Sequence, residues 1–283
     1  MSVKIVTDST SYLPEEYINE YDISVVSLNV LLNGKSYREV ELTNEIFYRE
    51  MSDSSEIPTS SQPSVEEILK CFKDIAKSGN DIVGVFISSK MSGTYSTAHL
   101  VKEMVLEEYP ERKIEIIDST TNCMEMGYQV LQGARAAKEG KDIKEVVSII
   151  NETINCSRFL FTPETLKYLK KGGRIGGASA LFGTILKINP ILTVENGVTT
   201  VFDKVRTKKK AIEVMVNKVM LDLREKGIEE VIVHHINCIE EGRVLANLLK
   251  EKLNLDVKVQ SIGPIIGLHV GPGSIGIAYY TKK

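Results

Sequence analysis

The stretch SSKMSGTYSTA, residues 88–98, carries seven hydroxyl side chains in eleven positions around a single glycine. It holds no Asp, Glu or His, and His99 lies just beyond it, so no local base stands ready to turn a serine into a nucleophile. Hydroxyls in that number suit an oxyanion. A carboxylate accepts several hydrogen bonds, each charge-assisted bond contributing about 1.5–3 kcal/mol. Two further stretches have the same character and read as loop sites. IPTSSQPS, residues 57–64, fixes Thr59, Ser60 and Ser61 between two prolines. GPIIGLHVGPGSIG, residues 263–276, sets His269 among apolar residues and glycines, which allow close approach of a ligand or another segment.

Other chemistries find less support. The G-x-S-x-G elbow of a serine hydrolase is absent, and so is G-x-x-x-x-G-K-[ST] for nucleotide phosphates. Cys71, Cys123, Cys156 and Cys238 form no C-x-x-C pair and read as buried thiols. His234 and His235 are adjacent on a strand-like run, which points them to opposite faces, and no metal site is expected. A net charge of −3 gives no basic field for nucleic acid. No apolar run approaches the length of a membrane span, and MSVKIVTDST reads as a first strand rather than a signal peptide. A cytoplasmic protein is expected.

The elements that must position these residues follow from periodicity. KIVT, ISVVSLNVLL, DIVGVFIS and KIEIID read as strands alternating with amphipathic helices, the pattern of a parallel sheet covered by helices. SVEEILKCFKDIAKSG opens with Ser64 and Glu67 as a capping box, and DIKEVVSIINETI repeats the device with Asp142 and Glu145. After about residue 155 the pattern restarts. It runs through FLFT, a helix over PETLKYLKK capped by Thr162, a hairpin around ENG, the helix TKKKAIEVMVNKVMLDLREKG, EEVIVHHI, EEGRVLANLLKEKL, DVKVQSI and a last strand IGIAYY. The fold class is α/β, with two α/β domains, 1–155 and 156–283, the first built on a mainly parallel sheet. In such a sheet ligands bind outside the carboxyl ends of the strands, where Thr7, Asp8, Ser9, Ser88, Ser89 and Asp118 would lie. The competing reading makes Asp8, Ser9, Asp118 and Ser119 ordinary caps and turn formers.

Taken in order, VTDST, SSQPS, ISSKMSGTYSTA, IDSTTNCMEMG, LKKGGRIGG, KINPIL and IGPIIGLHVGPGSIG resemble the DegV family, bacterial fatty-acid-binding proteins that include the B subunits of fatty acid kinase. The resemblance runs over essentially the whole chain. It implies a fatty acid held between the two domains, with its carboxylate on Ser60, Ser92 and His269 and with Thr59 and Ser61 in support. Ser60 stands where the family has threonine. It keeps the hydroxyl and loses the methyl that stiffens the first torsion, and Thr59 could take over. Burying about 14 methylenes at about 0.8 kcal/mol each gives on the order of 11 kcal/mol before ordering costs, so tight binding needs no cofactor. ALFGTILKINPILTV is the expected tunnel wall, with plain core as the competing reading.

The resemblance further implies a separate ATP-dependent kinase subunit that phosphorylates the presented carboxylate, so the chain is not a catalyst by itself. Arg174 and Arg206 match basic family positions that would neutralise an acyl phosphate or dock the kinase, although the run Lys204 to Lys210 also reads as solvated helix surface. Expected partners are a long-chain fatty acid, that kinase subunit and, transiently, a membrane surface, with no nucleic acid. Two alternatives stay open: a lipid carrier or sensor without a kinase partner, and a serine hydrolase using Ser92 as nucleophile and His269 as base.

Overall fold

A computed structural model describes residues 2–54, 56–181 and 188–282. In the first half the elements are β1 (Val3–Asp8), α1 (Glu15–Tyr21), β2 (Ser24–Val26), β3 (Asn29–Leu32), β4 (Lys35–Arg38), α2 (Asn44–Asp53), β5 (Thr59–Ser61), α3 (Val65–Lys77), β6 (Asp81–Phe86), α4 (Thr94–Glu108), β7 (Ile114–Asp118), α5 (Cys123–Lys138) and α6 (Ile143–Cys156). The second half holds β8 (Ser157–Thr162), α7 (Lys167–Lys171), β9 (Asn189–Glu195), β10 (Val198–Val205), α8 (Lys208–Lys226), β11 (Ile228–His235), α9 (Ile239–Leu253), β12 (Lys258–Ser261), α10 (Pro264–Val270) and β13 (Ile275–Thr281).

Three sheets result. The first, in order β2-β1-β6-β7, is parallel throughout, and its central strand β6 is buried at every residue because helices cover both faces. A small antiparallel sheet, β4-β3-β5, carries the Thr59–Ser61 segment on its outer strand. The third, β10-β9-β8-β13-β11-β12, is antiparallel except for β11–β12. The fold is α/β, with a parallel first sheet and a separate sheet in the second half. Between β9 and β10, Asn196 and Gly197 both take positive φ (51° and 82°), the left-handed pair that a two-residue hairpin needs, as ENG predicts.

The helix α5 joins the halves. Twelve of its 16 residues are buried, and it packs on β1 and β6 of the first sheet and on β8 and β13 of the third. A helix buried around most of its circumference needs neighbours on several sides, and the two sheets supply them. The largest apolar cluster accordingly runs from Ile5 and Phe47 through Met124 to Phe159, Ile232 and Ile266, without a break between the halves. Among the described residues no helix is long and apolar enough to cross a membrane.

The structure corrects several expectations from the sequence. ISVVSLNVLL is two strands in two sheets. Ser27 N–H goes to Glu67 Oε1 at 2.8 Å and Leu28 N–H to Ser9 Oγ at 3.1 Å, so side chains end the β1–β2 ladder and turn the chain away. That use of Glu67 also breaks the capping box of α3: Ser64 Oγ still accepts from Glu67 N at 3.1 Å, but the reciprocal bond is missing. The box at Asp142 and Glu145 is complete. Thr162 caps nothing, because it is the last residue of β8, opposite Ile275, and α7 starts only at Lys167, with Thr165 Oγ1 accepting Lys167 N–H at 3.2 Å. The GPIIGLHV stretch is a helix rather than a loop. Pro264 suits its first turn, and Gly271, at φ 94°, stops it. Within the expected tunnel wall, residues 182–187 lie outside the described residues.

Candidate functional site

A cavity of about 320 Å³ lies where the first and third sheets meet, in the size range of small-molecule sites. Its inner wall is apolar and comes mostly from the second half: Phe159, Phe161, Ile236, Ile262, Ile266 and Ile275. Its outer end is polar and includes Ser60, Ser61, Gln62, Ser92, Arg174 and His269. The three hydroxyl or histidine stretches of the sequence therefore converge on one end of one cavity, although 209 positions separate Ser60 from His269.

Each polar side chain is held by its element. Ser60, opposite Val30 on β5, brings its hydroxyl to 2.9 Å from His269 Nε2. The imidazole sits near the carboxyl end of α10 with Nδ1 buried and without a partner among the described residues. A Cβ at residue 172 would stand 2.1 Å from Nδ1, so only glycine leaves room for the ring there. Burial, and secondly the charge of Arg174, push the His269 imidazolium down to a pKa of about 4. The ring is neutral at pH 7, able to donate one hydrogen bond and accept another.

Arg174 is locked in place by carbonyls. Its Nε and Nη2 reach Met91 O at 3.1 and 2.9 Å, and Nη1 reaches Gly172 O at 2.7 Å. It ties the Ser92 loop to the end of α7 and puts a positive charge at the polar end. Ser92 precedes Gly93, the N-cap of the 15-residue helix α4, and Gly93 contributes no side-chain cap. The helix therefore turns its positive end to the cavity. Ser92 Oγ lies 2.9 Å from Thr94 Oγ1. Gln62 folds over Gly93, where a Cβ would come within 2.0 Å of its Oε1, and donates to Thr97 Oγ1 at 2.5 Å. This contact explains why the SSQPS and SGT stretches belong together.

Other sequence candidates do not enter the site. Thr59 is exposed and is not among the cavity-lining residues, whereas Ser60 is. Arg206 is exposed at the end of β10, away from the cavity lining. The strand-end residues serve the fold. Asp8 accepts Thr10 N–H at 2.9 Å and Ile87 N–H at 2.8 Å, and Asp118 accepts Thr120 N–H at 2.8 Å and Ser89 N–H at 3.2 Å. Ser88 Oγ donates to Gly197 O at 2.8 Å and docks the β9–β10 turn. The cavity still lies at the carboxyl edge of the first sheet, but Ile87, Met91, Ser92 and Asn122, deeper in the loops after β6 and β7, face it.

His234 also lines the cavity, and sequence reasoning passed over it beyond the metal question. Its Nδ1–H meets Gln260 O at 3.1 Å, and Nε2 accepts Met124 N–H at 3.2 Å, so both nitrogens are occupied and the ring is held neutral by burial, with a pKa of about 4. His235 turns the other way, accepting Cys238 N–H at 3.3 Å. The hydrolase arrangement is not assembled. His269 pairs with Ser60 rather than Ser92, and among the described residues no partner stands behind its Nδ1.

The cavity thus joins a polar end to a largely apolar chamber. The family model described as an uncharacterised protein of the DegV family matches residues 2–282. A DegV domain-containing protein of Clostridium perfringens is 53% identical over 283 residues, covering 100% of both chains. The crystal structure of DegV, a fatty acid binding protein from Bacillus subtilis, superposes with a TM-score of 0.90 at 31% identity and 100% coverage of both chains. A stearic acid-binding protein from Eubacterium ventriosum gives a TM-score of 0.90 at 29% identity, covering 99% of this chain and 98% of that one. The chain belongs to the DegV family.

Proposed function

We propose that this protein binds a long-chain fatty acid and presents its carboxylate to a separate ATP-dependent kinase subunit, which converts it to an acyl phosphate for phospholipid synthesis. The observation that carries the reading is the Ser60–His269 pair at the polar end of a cavity whose inner wall is mainly aromatic and isoleucine side chains. Ser60, Ser92 and His269 hold the carboxylate, Ser61 borders it, and the aromatic and isoleucine wall takes the chain. The solved relatives described as fatty acid-binding and stearic acid-binding proteins support the same ligand class. Arg174, fixed by three carbonyl contacts, supplies the charge an acyl phosphate would need. The protein is not itself the catalyst. It works in the cytoplasm, where ATP is available, and exchanges its lipid through transient contact with a membrane surface.

The test is native mass spectrometry of the protein purified without added ligand, followed by organic extraction. A stoichiometric fatty acid is expected. A protein that is empty and also takes up no added palmitate overturns the reading. The kinase part is tested separately by turnover with candidate ATP-dependent subunits. Ser92→Ala and His269→Ala should lower acyl-phosphate formation, and turnover that does not change removes both residues from the mechanism.

A further inference from the structure

We propose that Glu39 and Tyr12 are positioning residues for the carboxylate site: they grip the amino end of the helix that carries His269 and thereby set the Ser60–His269 contact. The inference rests on the binding function proposed above. The helix α10 has seven residues, and its N-cap, Gly263, offers no side chain to the first turn. Pro264 has no N–H to satisfy. The next two amides are taken by the other half of the chain, Ile265 N–H by Glu39 Oε1 at 2.8 Å and Ile266 N–H by Tyr12 Oη at 3.1 Å. Tyr12 O–H in turn donates to the same Glu39 oxygen at 2.8 Å. The cap that Ser or Asp at 263 would ordinarily provide comes from a carboxyl 226 positions away.

Gly263 leaves the space for this. A Cβ there would stand 2.7 Å from both Glu39 Oε1 and Tyr12 Cε1. Both gripping side chains are buried, Glu39 at 5% and Tyr12 at 9% exposure, so the contact is not loosened by water. The segment leading into the helix is held from the same side, with Tyr48 Oη donating to Ile262 O at 3.0 Å and Asn44 Nδ2 to Ile262 O at 3.2 Å.

Glu39 also belongs with Ser60. It directly follows β4, and its N–H donates to Leu28 O at 2.9 Å beside β3. The strands β4, β3 and β5 form the small sheet whose outer strand carries Ser60. One structural unit therefore delivers the serine to one side of His269 and the cap to the far end of the helix that bears it. Loss of the grip frees α10 to shift, and the 2.9 Å contact shifts with it.

The experiment measures radiolabelled palmitate binding to delipidated full-length protein in a double-mutant cycle of Glu39→Ala and His269→Ala. Glu39→Ala is expected to weaken binding about tenfold, or about 1.4 kcal/mol. Glu39→Gln, which keeps an acceptor oxygen for Ile265, should regain most of that loss. On the His269→Ala background, Glu39→Ala should add less than about twofold, because the group it positions is gone. Wild-type affinity in Glu39→Ala, or the same loss with and without His269, overturns the proposal. If Glu39→Ala does not fold, Tyr12→Phe takes its place in the cycle with an expected loss of about threefold, or about 0.7 kcal/mol, and wild-type affinity there overturns it equally. Palmitate binding by wild type but unaffected by the variants defeats this inference alone. No palmitate binding by wild type defeats the binding function and this inference with it.

Discussion

The contact between Gly172 and His269 offers the sharpest test of the site. Gly172 has φ −75° and ψ −5°, a backbone that alanine adopts without strain. Its added Cβ would stand 2.1 Å from His269 Nδ1, whereas ordinary contact begins at 3.4 Å, so the ring has to give way by about 1.3 Å. The Ser60 Oγ···Nε2 separation is 2.9 Å, and a displacement of that size along the line joining the two atoms takes the pair outside hydrogen-bonding geometry. Leaving a buried polar group unpaired costs about 1–3 kcal/mol. Gly172→Ala should therefore weaken palmitate binding between about fivefold and 150-fold. The assay is titration calorimetry on delipidated protein, with a thermal melt beside it to show that the variant is folded. Gly177→Ala is the control, since its Cβ would meet nothing nearer than 3.7 Å and should bind as wild type does. Binding by Gly172→Ala within about twofold of wild type would refute the reasoning, because a ring moved that far could not still be holding the ligand.

Gly93→Ala should drive Gln62 off the mouth, since its Cβ would lie 2.0 Å from Gln62 Oε1, and cost about 1 kcal/mol of affinity through the lost Gln62–Thr97 bond. Palmitate titration checks it, and undiminished affinity would remove Gln62 from the site. Glu125 is buried beside Thr121 Oγ1, and burial pushes its carboxyl up to about 7. Because the folded-state value is raised, its stabilising contribution is complete below pH 4.5 and lost as pH rises through about 7. Glu125→Gln should accordingly gain melting temperature relative to wild type between pH 5 and pH 8, and a constant difference across that range would contradict a protonated carboxyl. Asp222, 2% exposed, holds Lys218 Nζ and Tyr279 Oη, each at 2.6 Å. Asp222→Ala strands the buried phenol and should destabilise the protein by about 2–3 kcal/mol in urea unfolding. A change below about 0.5 kcal/mol would show that the phenol finds another partner.

The hydroxyl stretches, the strand–helix alternation and His269 were legible because residue type alone carries their meaning. The ENG hairpin and the cap at Asp142 were equally local. What escaped the sequence was long-range competition for polar groups. Glu67 reads as half of a capping box, yet Ser27 N–H and Arg38 reach it first. Asp8 and Asp118 read from sequence either as ligand contacts at strand ends or as caps and turn formers, and the backbone amides that occupy them decide for the second. Thr59 and Ser60 are neighbouring hydroxyls that residue type alone does not rank, and the register of β5 against β3 decides which of them meets the histidine. His234 was hidden by the opposite logic: an imidazole in an apolar run reads as core until the fold places a cavity beside it.

The serine at 60 bears on where this site gets its rigidity. A threonine there would fix its own first torsion, while serine leaves the hydroxyl freer to rotate. The histidine compensates, because its ring is constrained at both ends. Gly172 packs on Nδ1, Ser60 meets Nε2, and Glu39 and Tyr12 hold the helix beneath it. A serine facing a fixed ring has one good partner and needs no methyl to find it. Preorganisation in this protein therefore resides more in α10 than in β5. It follows that Ser60→Thr should change affinity little, whereas changes that loosen α10 should change it most.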